Sequence, residues 1–521
     1  MKRNNKIFFG VFLALIAFAS LTGCKKFLDR KPLSATLDDY GSVVDGQAVG
    51  MYSIFNTWAG FTTLPWIDFN AIRDDDGQKG SKVDDGAEIN TEFETFAYTK
   101  DDWATNTYWS DHYYLINKAN RLLHDADSLK LTDGASLRNI GEAHFFRAFA
   151  YFELVKAYGE VPKIDFYYTD AAKGIRPKST VADIYALIDR DLDSASKLLP
   201  LSWFNSTTGQ NPFPGRLTSG AAATLWAQTY LFRQNWAQVL GLCNLVMGST
   251  QYNLLPNFID VWKDGVGGAG KNSKESILET QEYIGAGGAP DYSTAYGTCQ
   301  NVRVADGFSD RTWNLGWGWN APTNVLVTNW SDTDPRKAAT ILYSGQSDGG
   351  PATGGYGATL PPYVPGSKLE QPYWNKKVYS DPAMRSFTGH TTDGNAGWID
   401  HRVLRYADVI LMKAEAANEM SDGATAEAML ELIRARARGG NNTVLPHIAY
   451  VNQAQMRTAI KNERHWEFAM EGYRFYDLVR WGDAVTVLGS LGYTDRCKYY
   501  PIPQPVIDLS GNVILQNPQW P

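Results

Sequence analysis

The sequence has little of what most chemistry requires. There are four cysteines in 521 residues, and the chain contains no C-x-x-C. No disulfide framework or zinc-ligand spacing can be read from Cys243, Cys299 and Cys497, which lie far apart. Seven histidines are scattered, with no H-E-x-x-H, and no G-x-S-x-G occurs. Beyond the leader, no hydrophobic run approaches the roughly 20 residues that span a bilayer. An excess of positive charge is also missing. The formal charge is −7, which argues against nucleic acid as a partner.

The leader is the exception to the lack of apolar runs. Lys2, Arg3 and Lys6 precede a nearly unbroken apolar stretch from Ile7 to Ser20, the layout of a secretory signal. Leu21-Thr22-Gly23-Cys24 looks like a bacterial lipobox. Cleavage would remove residues 1–23 and leave Cys24 to carry lipid. Acyl chains add about 0.8 kcal/mol of membrane affinity per buried CH2, so Cys24 is the expected anchor. The mature body has 498 residues and a formal charge of −10, because the leader holds three positive and no negative side chains.

Helical periodicity marks 39–58, then "TYWSDHYYLINKANRLLHDAD", then "ASLRNIGEAHFFRAFAYFELVKAYGEVP". In the last of these Phe145, Phe146, Phe149 and Phe152 cover more than one face, so that helix should be buried on several sides. Ser179 and Thr180 are plausible caps of the next helix, with Asp183 in its first turn. Two further patterns follow in "GRLTSGAAATLWAQTYLFRQ" and "NWAQVLGLCNLVMG". Residues 61–102 read as loop. Residues 251–400 are rich in Gly, Pro, Asn and Asp. Helix is expected again from Arg402, then in "ATAEAMLELIRARAR", and last as one long element from Gln453 to Gly482. Helix pairs of similar length point to a stacked array, a scaffold with a concave face.

Several motifs admit a chemical reading. "GVGGAGKN" (265–272) fits G-x-G-x-x-G, but it lacks the flanking strand and helix, and Asn272 stands where a P-loop needs Ser or Thr. A surface loop is the better reading. Glu463, Glu467 and Glu471 share one helix face beside Arg464 and His465. An acid–base pair is one interpretation, and a buried ion-pair network fixing helix packing is the favoured one. "RDDDG" (73–77) lacks the regular oxygen spacing of a calcium loop. No metal or cofactor is expected.

Aromatic residues are what the chain has in excess: 13% of all residues, with 17 Trp. Trp313, Trp317 and Trp319 fall within seven residues, separated by Gly and Asn, and Tyr283, Tyr292 and Tyr296 precede them in Gly-rich chain. Trp66 sits just before Arg73 and Asp74. Flat rings on loops with amides and charges nearby suit sugars. The C–H face of a pyranose stacks on a ring, and polar neighbours take the hydroxyls. The competing reading is that such rings cover the core under long loops. The candidate ligand-binding residues are Trp66, Arg73, Asp74, Tyr296, Trp313, Trp317, Trp319 and Asn320.

Seven segments together resemble the RagB/SusD family of outer-membrane glycan-binding lipoproteins. They are "CKKFLDRKP", "YWSDHYYLINKANRLL", "EAHFFRAFAYFELVKAYGEVP", "DTDPRKAATIL", "LRYADVILMKAEAANE", "IKNERHWEFAMEGYRFYDLVRWG" and "YYPIPQ" with "LQNPQW". The resemblance implies a mainly α, SusD-like fold. Four tetratricopeptide-like helix–turn–helix pairs would form the scaffold, with a loop-rich ligand-binding half. It implies one body over 24–521, with helical parts at 24–250 and 401–521 around an aromatic insertion at 251–400. It implies a non-catalytic protein that captures glycan over a SusC-like TonB-dependent barrel. The ligand would meet loops within 60–106 and 280–320, and the helix at 459–481 would belong to the scaffold. Two alternatives stay open: capture of peptide cargo in the manner of RagB, and a glycoside hydrolase. An outward-facing position is expected, although Lys25 and Lys26 follow Cys24 where exported members often carry acids.

Overall fold

Asp133, Thr180, Thr218, Asn235, Asp422 and Asn452 each accept a hydrogen bond from a backbone N–H one to three residues into the helix that follows. These caps satisfy donors that a helix cannot bond itself, and they fix where each helix begins. The protein is described from a computed structural model. It covers residues 42–521 apart from 83, 86–87, 209, 264–269, 283–294, 305–312, 314, 366, 368 and 384–397, and without the side chains of 88 and 89. Cys24, the leader, Tyr283, Tyr292 and most of the 265–272 motif lie outside the described residues.

The scaffold helices are α1 (Asp45–Thr57), α2 (Leu64–Asn70), α3 (Trp103–Ser128), α4 (Gly134–Tyr158), α5 (Val181–Leu198), α6 (Ser219–Phe232) and α7 (Trp236–Gly248). After a short α8 (Ala295–Gln300) come α9 (Tyr406–Glu419), α10 (Gly423–Arg438), α11 (Gln453–Phe468) and α12 (Arg474–Trp481). Each neighbour packs on the next: α3 on α4, α4 on α5, α5 on α6, α6 on α7, α7 on α9, and α9 on α10 and α11. In α5 the buried Ile184, Leu187, Ile188, Asp191, Leu192 and Ala195 keep three-to-four spacing. In α4 the four phenylalanines are all buried, as their spread over several faces requires. Among the described residues no helix is long and apolar enough to cross a membrane.

Three sequence expectations need correction. Residues 61–102 are not all loop, because α2 and a helix over Glu88–Glu94 lie within them. Arg402–Arg405 is a strand, antiparallel to Ser276–Glu279, and the helix starts at Tyr406. The long C-terminal helix is two. It breaks after Phe468 and resumes at Arg474, with Met470 and Gly472 at positive φ between them.

The described residues between 276 and 405 form short ladders around a smaller core. Trp313 lies in that core with Val302, Leu315, Leu342, Leu360 and Trp374. Charge clamps this half to the helices. Glu467 of α11 is fully buried and accepts from Arg405 at 2.7 Å, Arg436 at 2.5 Å and Arg336 at 3.2 Å. Glu463 accepts from Arg336 at 2.6 Å and Arg434 at 2.7 Å, and Glu471 from Arg405 at 2.8 Å and Lys377 at 2.6 Å. Burial pushes the Glu467 carboxyl up, but Arg436, Arg405 and Arg336 outweigh it and hold the group well below the carboxylate range. The three spaced glutamates are the ion-pair network and not an acid–base pair.

Candidate functional site

The Gly-Trp-Gly-Trp alternation does structural work at 316–319. The segment runs back along α8, where Trp317 N donates to Thr298 O at 2.8 Å and Trp319 N to Cys299 O at 2.9 Å. A Cβ at Gly316 would stand 2.4 Å from Thr298 O, so only glycine lets the two backbones meet. The close approach fixes the backbone of both tryptophans beside α8. Trp317 is 38% exposed and Trp319 is 9% exposed, with ring centroids 4.8 Å apart at 63°.

A second ring cluster forms around Tyr296 of the same helix. Tyr296 of α8 stacks on His401 at 4.4 Å and 18°, and Trp66 of α2 meets His401 edge-on at 4.4 Å and Tyr296 at 5.5 Å. The structure joins Trp66 to Tyr296, and Trp317 to Trp319, as two ring groups that both adjoin α8. Trp317 alone of these four is exposed. Polar groups flank the edge. The Arg303 stem packs against Gly318, and its guanidinium donates to Asp85, with Nη2 at 2.9 Å from Oδ1.

His401 is a member of the cluster that the sequence did not reveal. Burial pushes its imidazole down to about 3, with Arg402 adding to the shift, so the ring is neutral at physiological pH. A cavity of about 90 Å³ lies on the inner side, lined by Trp66, His401, His112, Tyr108 and Tyr476 among others. That is well below the roughly 300–1,000 Å³ of small-molecule sites. This cavity is too small to hold a sugar chain.

Every expected contact residue except Trp317 is buried: Trp66, Tyr296 and Trp319 as described, and Arg73, Asp74, Trp313 and Asn320 as follows. Arg73 is fully buried, with its guanidinium 3.9 Å from the Phe475 centroid and 4.0 Å from that of Tyr500. It donates to Tyr98 Oη at 2.9 Å and Cys497 O at 2.8 Å. Asp74 turns inward to accept from Asp76 N and Gly77 N. Burial first, then Asp76 and Asp75, raise its carboxyl well above the usual range. Trp313 belongs to the small core. Asn320 is fully buried at φ 51°, and its amide donates to Gln300 Oε1 at 2.7 Å. None of the four presents its side chain to a ligand at the surface.

Asp75, Asp76 and His465 could in principle hold a metal, since their ligand atoms lie within 4.8 Å of one another. The Arg474 guanidinium grips Asp75 at 2.7 and 2.9 Å, and His465 Nε2 is 2.5 Å from Asp76 Oδ1. A cation already sits against the acids, and the arrangement reads as a strap from the 73–77 loop to α11 and α12.

Comparison with known proteins agrees with this architecture. Residues 268–494 match the family model described as "SusD family", and residues 26–231 match "Starch-binding associating with outer membrane". SusD-like protein P2 of Formosa agariphila is 25% identical, over 97% of this chain and 98% of its own. Among solved structures, a laminarin-binding SusD-like protein is 27% identical with a TM-score of 0.72, covering 91% of this chain and 98% of its own. The surface glycan-binding protein A of Bacteroides thetaiotaomicron, solved with laminarihexaose, has a TM-score of 0.71 at 20% identity, covering 91% and 98%.

Proposed function

The chain belongs to the SusD/RagB family of outer-membrane proteins, and from that premise we propose that it captures glycan without cleaving it. The observation that carries this reading is the exposed Trp317 indole, packed edge-on against Trp319 on a segment hydrogen-bonded to α8. A sugar face stacks on Trp317, and Arg303 and Asp85 take hydroxyls at its edge. The mature body, 24–521, acts as one unit, with the stacked helices read as four tetratricopeptide-like pairs. Lipid on Cys24 holds it at the outer membrane, facing the exterior. The bound chain passes to a SusC-like TonB-dependent barrel. A hydrolase would need two available carboxylates across a cleft, about 5–10 Å apart. Glu463, Glu467 and Glu471 are instead saturated by arginine and lysine.

Calorimetric titration of the soluble body against plant, algal, fungal and host glycans tests the reading, beginning with laminarihexaose. Heat from one glycan class with no product released is the expected result. Trp317→Ala should weaken binding about tenfold, equal to roughly 1.4 kcal/mol. Silence across glycans with heat from peptides would replace glycan by peptide cargo, and product release would make the protein a hydrolase.

A further inference from the structure

We infer that the helical scaffold carries a second carbohydrate site, in the groove between the C-terminal half of α3, the N-terminal half of α4 and residues 165–167. This rests on the glycan-binding reading above, but on none of the same residues.

The groove measures about 670 Å³, inside the range of small-molecule sites. Phe166 and Tyr167 line it, each half-buried, so each ring has a solvent-facing part. The His124 ring stands 5.5 Å from that of Tyr167. These are the flat apolar surfaces a pyranose can cover.

A built polar group faces the same space. His144 lines the groove and is 18% exposed, and its Nδ1 lies 2.8 Å from Oδ1 of the fully buried Asp191. Arg147 grips both oxygens of Asp191 at 2.7 Å, so the carboxylate is ionised and cannot donate. His144 Nδ1 must then carry the proton. Its Nε2 is the ring nitrogen left for a ligand, held at a fixed orientation where a hydroxyl, which both donates and accepts, can pair with it. A histidine held this firmly is more than a surface group that happens to border a groove.

Charge selects the ligand class. Lys130 pairs with Asp127 at 3.0 Å and Arg190 with Asp165 at 3.3 Å. With Arg147 on Asp191, the groove's cations are matched by acids. Neither an anion nor a cation gains much from such a surface. A neutral, polyhydroxylated chain does, through ring contact and hydrogen bonds. No lining residue is shared with the Trp317 cluster, so one long glycan engaging both sites would gain effective concentration over either alone.

The test is calorimetry of the soluble body with neutral hexasaccharides, namely laminarihexaose, cellohexaose and maltohexaose. The proteins are wild type, Trp317→Ala, Tyr167→Ala, His144→Ala and Tyr167→Phe, each checked by thermal melting. Wild type should bind two hexasaccharides per chain. Trp317→Ala should keep one, and that one should weaken about tenfold, roughly 1.4 kcal/mol, in Tyr167→Ala or His144→Ala made on the Trp317→Ala background. Tyr167→Phe, which keeps the ring, should bind as wild type. One hexasaccharide per chain, lost with Trp317→Ala and unchanged by Tyr167→Ala and His144→Ala, overturns the second site and leaves the glycan reading standing. Binding that survives Trp317→Ala and vanishes with Tyr167→Ala sustains the groove and removes the Trp317 platform. Absence of heat from wild type with all three sugars overturns the groove as a site for neutral glucans.

Discussion

Gly472 lies against the indole of Trp66, such that a Cβ there would stand 3.1 Å from Cη2 and Cζ2 of the ring and 3.2 Å from Asn70 Cβ. Its φ of +79° is one that L side chains rarely adopt. Gly472→Ala therefore meets both a conformational penalty of about 1–2 kcal/mol and a crowded neighbour. The expected outcome is a lower unfolding midpoint together with weaker glycan binding, because Trp66 supports Tyr296 and His401. A midpoint equal to wild type would show that the break between α11 and α12 can relax.

Arg73 should matter to folding and not to ligand. It has aromatic faces and two oxygens as partners, and Arg73→Ala removes both and leaves a void among rings. The loss should be roughly 3–5 kcal/mol, read by urea unfolding. Arg73→Lys should also destabilise, since an ammonium has no planar fork to lie between Phe475 and Tyr500. Glycan affinity of the folded fraction should match wild type, and a selective loss of affinity would return Arg73 to the binding surface.

Glu467→Gln leaves three arginines facing a neutral amide. Breaking a buried ion pair in this way costs about 3–5 kcal/mol, so the urea midpoint at pH 7 should fall sharply. The folded carboxyl titrates below its unfolded value of about 4.3. Its contribution is thus complete above that pH and disappears as the pH falls further. The gap between wild type and Glu467→Gln should narrow on acidification. A gap independent of pH would mean that packing, not charge, sets the cost.

His401 gives the opposite kind of group a clean readout. Its folded value of about 3 lies below the unfolded value near 6.5. Between those limits the unfolded chain holds the extra proton, so stability contributed by the neutral ring is lost as the pH falls. The loss is about 1.4 kcal/mol per pH unit. Glu94 and Asp111, raised by burial to about 7 and about 6, act in the other direction. The difference between wild type and His401→Phe isolates the histidine: the variant should gain on wild type from pH 6 to pH 4. Parallel stability curves would show that His401 is protonated in the fold.

Some of this was legible in the chain. The glycines of 316–319 announce the exposed Trp317, because a ring between glycines has no role in a helix or a strand core, whereas Trp319, expected beside it, is buried. The spacing of Glu463, Glu467 and Glu471 announces one face, and the arginines nearby make an ion-pair network the natural outcome. Arg73 and Asp74 misled for a physical reason. A polar run reads as surface, yet the rings that bury Arg73 come from Phe475 and Tyr500, far along the chain. His401 carried no local signal, since its neighbours Trp66 and Tyr296 are remote in sequence. Arg402–Arg405 looked helical because its strand partner, Ser276–Glu279, is equally distant.

The Glu467 clamp also sets an order of events during synthesis. Arg336 and Arg405 are made 131 and 62 residues before the carboxylate that neutralises them. The early helices can pair as they emerge, since their contacts are between neighbours in sequence. The aromatic half cannot close until α11 exists. A chain truncated before residue 467 would keep an ordered helical start and a middle in which Arg336 and Arg405 retain Asp334 and Glu275 but lack the carboxylate they share, the form a protease meets first.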